Sequence, residues 1–98
     1  MAAYVIVEVT VHDEEAYEAY KQLTPATIAA YDGQFVVRSE KIVALEGAWK
    51  PQRIVVLQFP TLEKAKAWWE SPEYAPAKAI RQQAAHTKML MVEGYQPF

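Results

Sequence analysis

Three short segments carry apolar side chains at every position: Val5-Ile6-Val7, Ile54-Val55-Val56-Leu57 and Met89-Leu90-Met91-Val92. Side chains alternate faces along a strand, so a strand with one wet face should alternate polar with apolar. These segments do not, and the sheet they form must be covered on both sides.

The rest of the chain supplies cover for one side. Ala3 to Val11 is rich in β-branched residues, with Val5, Val7, Val9 and Val11 on one face and Tyr4, Ile6, Glu8 and Thr10 on the other. Asp13 then suits a helix N-cap, followed by Glu14 and Glu15 in the positively polarised first turn. Tyr17, Tyr20, Leu23, Ile28 and Tyr31 continue at near-helical spacing. Pro25 lacks an N–H and should kink or restart this helix, and Asp32-Gly33 should end it through a left-handed glycine.

Gln34 to Glu46 reads as extended, Gly47 to Gln52 as a loop containing Pro51, and Arg53 to Phe59 as the next strand. Thr61 is an N-cap for a helix whose apolar stripe is Leu62, Ala65, Trp68 and Trp69. Ser71-Pro72-Glu73 carries the signals of a new helix start, running to about His86. Lys88 to Glu93 is the last strand and Gly94 to Phe98 a short tail. The order is βαββαβ, the ferredoxin-like α+β arrangement: a four-stranded antiparallel sheet with two helices on one face, in one domain spanning residues 1 to 98. The second sheet face remains apolar, and exposing several hundred Å² of it would favour aggregation. A second copy packed sheet against sheet is the economical cover, so the sequence predicts a homodimer through the open face.

Composition narrows the function classes. A net charge of −2, with 22% charged residues, gives no electrostatic footprint for nucleic acid. The chain has no cysteine, which removes disulfides, thiolate nucleophiles and cysteine-based zinc sites. No apolar run nears the roughly 20 residues of a bilayer-crossing helix, and the opening MAAYVIVEVTV alternates like a strand rather than a signal peptide. A cytoplasmic protein that engages neither membrane nor nucleic acid is expected. No HxH, HxxxH or EF-hand pattern supports a metal, and no P-loop or dinucleotide fingerprint supports a nucleotide, so no cofactor is assigned.

Arg38, Glu46-Gly47, Pro51-x-Arg53, Phe59-Pro60, Ala67-Trp68, Ser71-Pro72-Glu73-Tyr74 and Arg81 together give the chain a specific look. It resembles, over nearly its whole length, family thirteen-thirty of the domains of unknown function. That family is grouped with the dimeric α/β barrels, whose relatives include cofactor-independent monooxygenases, muconolactone isomerases and haem-handling enzymes. The resemblance implies the ferredoxin-like fold and a dimer. It leaves the chemistry open among those of the relatives, because one fold hosts unrelated activities.

Two constellations are candidates for function. Arg38, Arg53 and Arg81 could be answered by Glu8, Glu46 and Glu73 in internal or interfacial salt bridges, or could form a site for an anionic ligand. Arg81 lies seven residues after Tyr74, on the helix stripe that faces the sheet. If it answers a buried carboxylate, Arg81→Ala should cost roughly 3–5 kcal/mol. The second constellation is Trp68, Trp69 and Tyr74, either core packing or the wall of a pocket. Only one of two adjacent tryptophans can point to the centre of the stripe. His12 reads as a turn residue; His86 is favoured electrostatically at a helix C-terminus without any catalytic duty, the alternatives being haem ligation in the manner of some barrel relatives or a general-base role.

Three functions fit. One is binding of a small aromatic or anionic metabolite between sheet and helices, with Arg38, Arg53 and Arg81 as charge partners and Trp68 and Tyr74 as walls. Another is cofactor-independent oxygenation or isomerisation in the same pocket, with Glu8 or Glu46 as base. The third is a structural module, in which every charge is internally paired and no cavity of about 300 Å³ exists.

Overall fold

The computed structural model describes residues 1 to 96. Its elements are β1 (Ala3–Val11), α1 (Glu14–Ala30), β2 (Gln34–Ser39), β3 (Arg53–Phe59), α2 (Leu62–Trp69), α3 (Ala75–Ala84) and β4 (Ala85–Glu93). The four strands form one antiparallel sheet in the order β2-β3-β1-β4, the ferredoxin-like arrangement. Of the expected tail, Pro97 and Phe98 lie outside the described residues. No helix among the described residues is long and apolar enough to cross a membrane.

Period-two alternation decides the sheet faces. Val5, Val7 and Val9 of β1 pair with Leu57, Val55 and Arg53 of β3, and all these side chains face the helices. The core lies between them and Tyr17, Tyr20 and Ile28 of α1, Ala65 and Trp68 of α2, and Ala77 and Ala84 of α3. On the other face Ile6, Val37, Leu90 and Val92 are all exposed. The Cα trace measures 41 × 38 × 16 Å, so one helical layer covers one sheet face.

Local chemistry sets the helix ends. Asp13 Oδ1 accepts from Ala16 N at 3.1 Å, and Thr61 Oγ1 accepts from Lys64 N at 3.1 Å, as expected of N-caps. Helix α1 runs continuously through Pro25, so of the two expected outcomes, a kink or a restart, the restart does not occur. Here tertiary burial of Tyr20, Thr24 and Ile28 on one face outweighs the local proline cost. The helix ends in a Schellman motif, Asp32 N donating to Ala29 O and Gly33 N to Ile28 O.

The residue in the left-handed conformation is Asp32, with φ 64°, and not Gly33 as the sequence suggested. Gly33 serves a different need: a Cβ there would sit 2.5 Å from the buried Phe59 ring. Gly33→Ala is therefore expected to cost about 1–3 kcal/mol by overpacking, measured by urea unfolding. A neutral result would mean that the Phe59 ring yields without strain.

Three boundaries differ from the sequence reading. Strand β2 stops at Ser39, and residues 40 to 52 are irregular and largely exposed. Ser71 Oγ donates to Trp68 O and accepts from Tyr74 N, closing a turn over residues 72 to 74. Helix α3 thus begins at Ala75, and Pro76 takes the early-helix role expected of Pro72. Finally, Ala84 ends α3 and Ala85 begins β4 with no loop between them. The β1–β4 ladder, from Ala3↔Glu93 to Val11↔Ala85, draws His86 and Thr87 into the strand, so His86 does not sit at a helix end.

Candidate functional site

A β-bulge brings Arg38 to the helix side. Phe35 pairs with Leu57, Val37 with Val56 and Arg38 with Val55, leaving Val36 as an extra residue on β2. Strict alternation from Phe35 would have turned Arg38 to the open face. The extra residue reverses this, and the Arg38 guanidinium stacks 5.0 Å above the Phe35 ring. From β3, Arg53 faces the same side at the register position opposite Val9. From α3, Arg81 reaches down from the sheet-facing stripe and is 4% exposed.

These three arginines and Lys21 of α1 line one cavity of about 30 Å³ between sheet and helices. Tyr17, Tyr20, Phe35, Trp68 and Met89 supply much of its remaining wall. No carboxylate lines it. Arg81 Nε donates to Tyr74 Oη at 3.2 Å and its Nη1 to Thr87 Oγ1 at 2.5 Å. Tyr74 and Tyr20 share a hydroxyl hydrogen bond of 2.8 Å. The buried Nε of Arg53 has no hydrogen-bond partner.

A fully built salt-bridge network is thus absent from the cavity. Among the described residues the salt bridges are Lys21–Glu18 and Lys64–Asp32, both with substantially exposed side chains. Glu8 points to the opposite sheet face, where its Oε1 accepts from Trp49 Nε1 at 3.2 Å. Glu46 lies in the exposed segment after β2, and exposed Glu73 accepts from Tyr31 Oη at 2.7 Å. The acids expected to answer the arginines, or to act as base beside them, lie outside the cavity. The physical reason is period two: a glutamate at an even position of β1 cannot share a face with Val7 and Val9.

The aromatic stretch divides as its geometry requires. Trp68 is fully buried, stacked against Tyr74 at 4.1 Å and Phe59 at 5.5 Å, with its indole N–H donated to Thr27 Oγ1. Trp69 turns outward, where the Lys78 ammonium sits 3.8 Å above its ring. Tyr74 does not line the cavity and acts through Arg81 and Tyr20.

Burial pushes the Tyr20 phenol far above the ordinary tyrosine range, with Tyr74 adding to the rise. Tyr17 is also raised by burial, although the Arg53 and Arg81 charges oppose this. A phenol that keeps its proton in the fold but loses it when unfolded stabilises the protein below the unfolded value and destabilises it above. Stability should accordingly fall as pH rises through about 10, the unperturbed tyrosine value. The slope approaches roughly 1.4 kcal/mol per pH unit for each retained proton. Urea unfolding from pH 8 to 11 checks this, and a Tyr17→Phe/Tyr20→Phe variant should flatten the curve. An equal slope in the variant would assign the loss to other groups.

Tyr17, Tyr20, Lys21 and Thr87 were not among the site candidates from sequence. Their i, i+3, i+4 spacing on α1 marks the first three as one helix face, but not as neighbours of three distant arginines. Thr87 falls outside the strand expected from sequence, which begins at Lys88, three residues after the start of β4 at Ala85. Among the described residues, no group of three or more His, Asp or Glu side chains is placed to hold a metal ion.

Solved structures share this fold at low identity. A protein of unknown function from Rhodopseudomonas palustris is 16% identical, with a TM-score of 0.78 over 98% of this chain and 84% of that one. A dimeric ferredoxin-like protein of unknown function from a Jannaschia species is 10% identical, with a TM-score of 0.75 over 96% of this chain and 100% of the other. SnoaB, a cofactor-independent oxygenase from Streptomyces nogalater, is 14% identical, with a TM-score of 0.70 over 97% and 94%. No curated protein matches the sequence. The sequence itself matches the family described as "Domain of unknown function (DUF1330)" over residues 2–95, and the chain is a member of that family.

Proposed function

We propose that the protein binds the anionic group of a small metabolite in the cavity between sheet and helices, with Arg53 and Arg81 as its main charge partners. The observation that carries this reading is the imbalance of the lining: three guanidiniums with no carboxylate partner, beside a Lys21 whose ammonium is already paired with Glu18. A buried guanidinium without an anion is costly, and a ligand carboxylate answers its planar fork with two parallel hydrogen bonds. The unpartnered Nε of Arg53 is a donor such a ligand could use.

Thermal unfolding with benzoate tests the reading. A ligand that binds only the folded state at 100 times its Kd stabilises by about 2.7 kcal/mol, on the order of 10 °C for a domain of this size. The rise should disappear in Arg53→Gln. No shift with benzoate or simple aliphatic carboxylates would remove the proposal.

One observation favours an enzymatic version: the same fold carries cofactor-independent oxygenation in SnoaB. Arginines around an oxyanion would stabilise the substrate anion that such a reaction forms. With Glu8 and Glu46 outside the cavity, the proton acceptor in that version is not a carboxylate of this site.

The open face supports a homodimer. Ile6, Val37, Leu90 and Val92 form an exposed apolar surface on the sheet, and a second copy of the same face is self-complementary. Sedimentation at micromolar concentration should give about twice the 11.1 kDa chain mass. An Ile6→Lys/Leu90→Lys variant should sediment as a folded monomer. A wild-type monomer would rule the dimer out.

A further inference from the structure

The cavity between the arginines, about 30 Å³, has room for a few atoms such as a ligand's head group but is far below the roughly 300–1,000 Å³ that a whole small-molecule ligand takes. A second hollow of about 790 Å³ lies at the free edge of β4, on the helix side of the sheet beneath α2 and α3. That volume falls in the range of sites for whole small-molecule ligands, about 300–1,000 Å³. Its apolar wall on the helix side is Val5, Ala65, Trp69, Met89 and Met91, and Leu90 of the open face also touches it at the strand edge. Trp69, Leu90 and Met91 are among the large exposed apolar side chains of the chain.

Arg81 and Met89 line both the small cavity and the edge groove. Arg81 is held in this wall from both sides, by Tyr74 in α3's approach and by Thr87 in β4, and Thr87 itself lines the groove. A ligand in the groove therefore meets a buried guanidinium at its inner end. Lys66 and Glu70 contribute opposite charges at the helix side of the groove, which leaves Arg81 as the unanswered charge.

Resting on the anion-binding reading above, we infer that the ligand is an amphiphilic monocarboxylic acid. Its carboxylate sits at Arg81 and Arg53, and its apolar chain or ring lies in the β4-edge groove over Met89, Met91 and Trp69. The two volumes divide the ligand: the small cationic space takes the head and the large apolar space takes the body. Charge complementarity sets the direction, since the buried positive end is the inner one.

Isothermal titration with acetate, butanoate, hexanoate and octanoate tests the division. Each added methylene placed in the groove should tighten binding by roughly three- to fourfold. Met91→Gln/Trp69→Gln should remove this dependence and leave acetate binding unchanged. Arg81→Met should abolish binding of every length, and Arg53→Gln serves as a second head-group variant should Arg81→Met fail to fold. Arginine-dependent binding with no chain-length dependence, or with a dependence that the groove variants do not alter, overturns the groove while the anion site stands. Chain-length-dependent binding that survives both arginine variants overturns the inference as non-specific apolar association. No binding at any length overturns the anion site as well.

Discussion

Trp68→Ala is expected to destabilise the fold by about 3–5 kcal/mol, the range for deleting a fully buried large aromatic side chain. Its ring is stacked between Tyr74 and Phe59, and its indole N–H is satisfied by Thr27 of α1. Truncation would open a cavity where α1, α2 and the turn before α3 meet the sheet, and would leave the Thr27 hydroxyl without the donor it accepts from. For a domain this small the melting temperature should drop by more than about 10 °C. Trp69→Ala is the internal control. Trp69 is 39% exposed and contacts Lys78, so its loss should stay within roughly 1 kcal/mol. Equal losses from the two variants, read from urea unfolding midpoints, would show that Trp68 does not carry the packing of this corner.

Arg81→Met is expected to leave the unliganded protein as stable as before or to stabilise it by up to about 4 kcal/mol. This reverses the sign predicted from sequence, where a buried carboxylate partner made removal costly. The structure places no carboxylate around the guanidinium, so its substitution strands no opposite charge. Methionine keeps much of the apolar stem, and the Tyr74 hydroxyl retains its bond to Tyr20. The same variant should lose the stabilisation by benzoate. Urea unfolding with and without benzoate measures both quantities. A loss of 3 kcal/mol or more would show that the bonds from Arg81 to Tyr74 and Thr87 outweigh the cost of burying its charge. Retained stabilisation by benzoate would place the anion elsewhere.

The two variants also separate what was legible in sequence from what was not. The division of Trp68 from Trp69 follows from helix geometry, because adjacent residues point about 100° apart and only one can meet the sheet. The inward position of Arg81 follows in the same way from Tyr74, Ala77 and Ala84. Its partners do not follow. Thr87 lies on β4, and its proximity depends on α3 running into β4 without a loop. Neither local propensity nor periodicity signals such an abrupt change, since the ladder with β1 draws residues 85 to 87 into the strand.

Glu8 and Arg38 show the same limit from opposite sides. Alternation along β1 marks Glu8 as a residue of the face away from Val7 and Val9, but nothing local in the sequence says which face Arg38 takes. Arg38 reaches the cavity only through the bulge at Val36, which no turn or glycine signal marks in Gln34–Ser39. Such a shift comes from pairing with β3, and one extra residue exchanges the faces of everything beyond it.

The sequence by itself determined the βαββαβ order, the helix-facing stripe and the doubly apolar sheet, because alternation, helical spacing and capping are local and repeat along the chain. The tertiary structure decided which charges meet. It set Lys21, Arg38, Arg53 and Arg81 around one space and Glu8, Glu46 and Glu73 outside it. The reason is that charge neighbours are fixed by strand register, bulges and element junctions, and these emerge only when distant segments pair.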